Sequence, residues 1–144
     1  MEARCVMEGI GSATRISTAP AVAVLRAENL DRATRYYTNV LGFTLDMAQS
    51  GQGVAIFSAG LGSQFSVYER PGMGAPENTA LAFPVSAGDF DAVMTDLRDH
   101  GVTFEDYDVP EMNLKTVNGV ATMGSTKTAW FKDTEGNILN LVSM

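Results

Sequence analysis

The chain has 144 residues, 45% of them apolar and 19% charged, the profile of one soluble globular domain long enough to bury a core. Ten Lys and Arg against seventeen Asp and Glu leave a net charge of -7, which argues against nucleic acid or an anionic membrane surface as the main partner. No run approaches the ~20 apolar residues of a membrane span, and the single cysteine, Cys5, cannot close an internal disulfide.

Residues 1–18 are small, polar and Gly-containing and read as a loose N-terminal arm. The arm lacks the apolar stretch of a signal peptide, so cytoplasm is the expected compartment. Ala21 to Ala27 suggests a strand. Asn29 sits where a helix cap belongs, Leu30, Ala33, Tyr37 and Val40 follow at helical spacing, and Gly42 closes the helix. Phe43 to Met47, Val54 to Ser58 and Gln64 to Glu69 read as three strands separated by Gly-rich turns. Residues 70–78, rich in Pro and Gly, form the best linker in the chain.

After the linker the order restarts. Ala80 to Val85 is a strand, Asp89 caps a helix carrying Phe90, Val93, Met94 and Leu97 on one face, and Gly101 ends it. Thr103 to Tyr107 is expected as the next strand. Val117-Asn118-Gly119-Val120 is a hairpin signal, because Asn-Gly satisfies both positive φ angles of a tight turn. Lys127 to Lys132 and Ile138 to Ser143 finish the series.

The two halves are one pattern used twice. Ala55, Phe57 and Gly62 recur as Ala129, Phe131 and Gly136, 74 positions later, each Gly preceding a short alternating apolar run. Upstream, Val22 to Ala27 matches Ala80 to Val85. Each half reads strand, helix, three strands, and the second is longer near Ala87-Gly88 and by an excursion over 110–124. The expectation is an α+β domain over 19–144: module one at 19–70, linker at 70–78, module two at 79–144. Two βαβββ modules would then form one cupped, eight-stranded mixed sheet with a helix packed behind each half.

At this point the chain resembles the vicinal oxygen chelate superfamily of glyoxalase I, extradiol dioxygenases, fosfomycin-resistance enzymes and bleomycin-binding proteins. The residues that carry the resemblance are Asn29-Leu30-Asp31-Arg32-Ala33 through Leu41-Gly42-Phe43 and Trp130-Phe131-Lys132-Asp133-Thr134-Glu135-Gly136-Asn137. The second resembles the family's Asp-Pro-(Asp/Glu)-Gly-Asn turn, with Thr134 in place of Pro. The resemblance implies one site cupped by both modules, and commonly a homodimer. It also implies a divalent metal held by His, Glu or Gln on four strands. Those four positions fall on Val22, Ser66, Ala80 and Asn140, of which two have no donor at all. Composition agrees, since a two-His-one-carboxylate iron site needs two histidines and this chain has only His100. No metal and no other cofactor is therefore expected.

His100 stands in the last turn of the second helix, where a cation complements the helix dipole. A Cys5–His100 nucleophile pair has nothing to orient it. Glu105, Asp106 and Asp108 form an acidic cluster that shapes a turn, with Tyr107 or Asp108 able to offer a hydrogen bond or a base. Asp133 and Glu135 read as hairpin residues. Neither a phosphate loop nor a nucleophile elbow is present.

Strand alternation then selects the pocket. Val22, Val24 and Arg26 share one side; Gln64, Ser66 and Tyr68 another strand's; Ala80 and Ala82 a third, with Ile138 and Asn140 on the last. Leu81, Phe83, Val85, Leu139 and Leu141 face the helices. Trp130 takes whichever side the pairing of its hairpin gives it. With Tyr107 and Trp130 added, these residues describe a small, mostly apolar cavity for a small, partly hydrophobic molecule. The acidic surface favours a cationic ligand at long range. The alternative reading is a lyase or isomerase that acts without the usual metal or borrows ligands from a partner subunit.

Overall fold

The computed structural model describes residues 15–144. Cys5 and most of the expected N-terminal arm lie outside them; the arm's last residues, Ile16–Thr18, make one 3-10 turn. The chain divides into two units, Met1–Met73 and Gly74–Met144. Where the sequence suggests a single eight-stranded sheet, hydrogen bonds group the strands as two sheets of four, one per unit, and a two-stranded ribbon.

In the first unit β1 (Ala23–Ala27) leads into α1 (Leu30–Arg35), then β2 (Thr44–Leu45), β3 (Val54–Ser58) and β4 (Gln64–Glu69), in spatial order β1-β4-β3-β2. β1 runs parallel to β4, and the other pairs are antiparallel. Asn29 caps α1 as its position suggests, its side chain accepting from the Arg32 N–H at 3.0 Å. The helix then widens into a π turn, Tyr36–Val40. The Thr38 hydroxyl donates to the Thr34 carbonyl at 2.8 Å, occupying the acceptor that Thr38's own N–H would use in an α-helix.

Alternation explains the core. Leu25 and Ala27 of β1, Ala55 and Phe57 of β3, and Phe65 and Val67 of β4 are buried on the face that meets α1. Tyr37 sits among them with ring centroids 5.4 Å from both Phe57 and Phe65. Each such ring pair adds roughly 0.5–1.5 kcal/mol beyond the area it buries.

The second unit repeats the path with β5 (Thr79–Val85), α2 (Phe90–Asp99), β6 (Asp108–Val109), β7 (Leu114–Lys115), β8 (Ala121–Met123), β9 (Thr126–Lys132) and β10 (Ile138–Ser143). Its sheet runs β5-β10-β9-β8, again with the first and last strands parallel, and β6 pairs only with β7. Phe90, Met94 and Leu97 of α2 are buried, as are Ala129, Phe131, Leu139 and Leu141 on the helix-facing side. Asn118 (φ 52) and Gly119 (φ 81) form the expected tight turn.

Two expectations need correction here. Asp89 precedes α2 but does not cap it: its backbone is already helical, and its carboxylate accepts from the Ser86 hydroxyl at 2.9 Å instead. A cap residue needs an extended backbone to aim its side chain at the first turn. The Thr103–Tyr107 strand shrinks to a bridge, Phe104 opposite Phe131, with the Glu105 N–H donating to the Trp130 carbonyl. Beyond it the Asp106 carboxylate takes the Thr116 hydroxyl and the Gly119 N–H, which draws the chain away from β9.

Candidate functional site

Opposite the helix-covered face, each sheet presents a second row of side chains set by strand register. In the first unit Ser66 pairs with Val24 on one side and Ile56 on the other, and Arg26 pairs with Tyr68. Gln64 leaves β4 on the same side, two residues before Ser66. In the second unit Asn140 pairs with Ala82 and with Trp130. That pairing decides the question left open for Trp130, which lies on the Asn140 face and not under α2.

Sequence-selected residues differ widely in exposure. Arg26, Gln64, Ser66 and Asn140 are buried; Ala80, Tyr68, Tyr107 and Trp130 are half-buried; Val22, Val24 and Ala82 are exposed. Val22 lies just before β1, and Ala80 falls in the register shift between the Ile138–Thr79 and Leu139–Leu81 pairs. Ile56 and Thr128 also belong to these faces, and the alternation of β3 and β9 is enough to find both in the sequence.

Thr128 matters because it engages Asn140. The Asn140 amide donates to the Thr128 hydroxyl at 2.6 Å and to the Ala129 carbonyl at 3.0 Å. Its nitrogen is thereby committed within its own hairpin. Gln64 stands in contrast: it is 8% exposed, and its Nε2 has no hydrogen-bond acceptor among the described residues. A donor buried in that way costs about 1–3 kcal/mol. The Arg26 guanidinium shares the Ser66 face and lies 3.9 Å from the Glu28 carboxylate.

Tyr107 packs edge-on against Trp130, centroids 5.6 Å apart. Its backbone exchanges hydrogen bonds with Thr116. Burial, and secondarily the negative charge of Glu105, push the Tyr107 phenol above its ordinary value. It therefore stays protonated at neutral pH, a hydrogen-bonding group beside the indole and not a base. Asp106 is exposed and held below the usual aspartate range by the Thr116 hydroxyl and then the Gly119 N–H. Its role is to anchor the excursion. Asp108 pairs with Lys115 across the β6–β7 ribbon.

Asp133 is likewise structural. One carboxylate oxygen accepts from the Glu135 and Asn137 N–H groups at 2.8 and 2.9 Å, and the other from the Asn137 amide at 2.9 Å. His100 closes α2, its Nδ1 2.8 Å from the Asp96 carbonyl.

The four positions that the resemblance assigns to metal ligation do not fit that task. Val22 and Ala80 carry no donor, Ser66 offers a neutral hydroxyl, and the Asn140 amide is bonded within β9–β10. Among the described residues no three His, Cys, Asp or Glu side chains cluster. Also among the described residues, no helix is long and apolar enough to cross a membrane.

The sequence pattern of the Glyoxalase/Bleomycin resistance protein/Dioxygenase superfamily matches residues 19–141. No curated protein matches the chain. Solved structures with the same fold include a glyoxalase/dioxygenase from Nostoc punctiforme, 14% identical with a TM-score of 0.62, matched over 92% of this chain and 96% of that one. The fosfomycin resistance protein FosX from Listeria monocytogenes is 14% identical with a TM-score of 0.62, over 88% and 93%. An integron cassette protein from the Halifax Harbour sewage outfall metagenome is 16% identical with a TM-score of 0.61, over 86% and 98%. Structures of the Listeria protein include complexes with Mn(II).

Proposed function

Because the chain belongs to the glyoxalase/bleomycin resistance protein/dioxygenase superfamily, we propose that it binds a small, partly hydrophobic molecule without a divalent metal. The candidate contacts are, within the first unit, the strand face carrying Val24, Gln64 and Ser66 and, within the second, the face carrying Ala82, Tyr107, Trp130 and Asn140. One observation carries the reading. The positions that the resemblance assigns to chelation hold Val22, Ser66, Ala80 and Asn140, while the same faces supply apolar side chains, two aromatic rings and a few amide and hydroxyl groups. Such a mixture suits orientation of a mostly apolar ligand by a few polar contacts. A cytoplasmic homodimer is the form proposed for it, following the habit of the family.

An enzymatic reading rests on the fold shared with FosX, a protein crystallised with Mn(II). The two readings separate by experiment. Thermal denaturation would be followed with a panel of aromatic antibiotics and small carbonyl compounds, with and without EDTA. A ligand at a hundred times its Kd stabilises by about 2.7 kcal/mol, which is several degrees in Tm for a chain of this size. The expected result is a clear shift with at least one hydrophobic compound, unchanged by EDTA. Stoichiometric Mn, Zn, Ni or Fe in protein purified without chelator, with loss of ligand binding on its removal, would support the enzyme instead.

A further inference from the structure

We propose that Gln64 is the specificity-determining residue of the ligand site, its Nε2 donating to an oxygen acceptor (carboxylate or carbonyl) on an otherwise apolar ligand. The inference rests on the small-molecule reading and adds the chemical class of the ligand. Buried amide nitrogens in folded proteins nearly always have an acceptor. Gln64, nine-tenths buried on the Ser66 face, has none for Nε2 among the described residues.

The repeat provides an internal control for a structural role. The position 74 residues on is Ile138, which begins β10 as Gln64 begins β4. Hydrocarbon thus serves the same place in the same fold. The Gln64 backbone pairs with Ser58, and its Nε2 has no hydrogen-bond partner among the described residues, the turn between β3 and β4 included. Asn140 gives the opposite case, an amide on the equivalent face that is taken up by Thr128 and Ala129. The nitrogen presents only donors and so calls for an acceptor, whatever attraction for cations the overall charge adds at long range. Val24 and Ile56, which flank Ser66 on this face, set the apolar character of the rest of the ligand.

The test compares the full chain with its Gln64→Leu variant, using benzoate as the acceptor-bearing probe and benzylamine as the donor-bearing one. In ligand-free protein, Gln64→Leu is expected to hold or raise Tm. A fall of several degrees would show that the amide has a structural partner and overturn the proposal. In NMR titrations, benzoate is expected to move the Gln64 side-chain amide resonances, and its Kd to rise on the order of tenfold in Gln64→Leu, the loss of one charge-assisted hydrogen bond. Equal benzoate affinity in both proteins, or backbone shifts at Val24 and Ser66 without a Gln64 side-chain shift, would refute Gln64 while leaving the small-molecule reading intact. If neither probe perturbs the face, the Gln64 proposal falls, and the ligand panel of the thermal denaturation decides the small-molecule reading separately.

Discussion

The two units follow one path in one register, yet they stabilise it with different chemistry. Ile56 opposite Ser66 becomes Trp130 opposite Asn140, and Val24 beside Ser66 becomes Ala82 beside Asn140. The turn from third to fourth strand repeats its backbone bond as well, Ala59 N–H to Ser63 carbonyl at 2.9 Å and Asp133 N–H to Asn137 carbonyl at 3.0 Å. Only the second turn has a carboxylate inside it, and only the first places a non-glycine, Leu61, at positive φ. Register is therefore what the fold requires, and side-chain satisfaction is free to diverge. That divergence is how a structural amide (Asn140) can be told from an uncommitted one (Gln64).

The largest expected effects lie in the matched core aromatics. Phe57 is fully buried against the rings of Tyr37 and Phe65, whereas Phe131 meets, among the described residues, the one ring of Phe104 at 5.6 Å. Phe57→Ala and Phe131→Ala should each cost about 3–5 kcal/mol in urea denaturation, with Phe57→Ala the costlier. Equal loss would mean that the aromatic cluster adds nothing beyond buried area. A smaller and cleaner contrast comes from the paired turn glycines. Gly62 (φ +74) has open space where a Cβ would go, but at Gly136 (φ +87) a Cβ would stand 2.9 Å from the Ala75 Cβ. Gly62→Ala should cost about 1–2 kcal/mol from backbone strain alone. Gly136→Ala should lose roughly 1 kcal/mol more from crowding, and reversal of that order would break the comparison.

These contrasts also mark what the sequence could and could not reveal. The bounds of β3, β4 and β10 follow from alternation and turn residues, which are local signals, and the structure places them at 54–58, 64–69 and 138–143. The Thr103–Tyr107 strand was misread because its fate depends on Thr116 and Gly119, ten and thirteen residues beyond Asp106. The faces of Ser66 and Asn140 were legible from the 74-residue offset, since register repeats with the turn. Trp130 needed the observed pairing with Asn140. The state of Gln64 was out of reach: alternation gives the side on which an amide lies, but its hydrogen-bond partners come from other strands.

The smallest predicted effect tests a segment with no counterpart in the first unit, the excursion over 110–124. Asp106 anchors it through the Thr116 hydroxyl at 2.8 Å and the Gly119 N–H at 2.9 Å, and these bonds favour the ionised form. Its carboxyl is therefore more acidic folded than unfolded. The stability this supplies is present above the ordinary aspartate value and is lost as pH falls through the lower, folded one. Lowering pH into that acid range should lower the hydrogen-exchange protection factor of the Gly119 amide, intrinsic exchange being corrected for pH, while that of Ile56 in the first unit, whose N–H is bonded to the Ser50 hydroxyl, should show no linked change. Asp106→Asn should abolish the pH dependence at Gly119, because an amide oxygen still accepts but no longer titrates. If Gly119 and Ile56 instead loosen together, acid acts on the chain as a whole, and the carboxylate is not what holds the excursion.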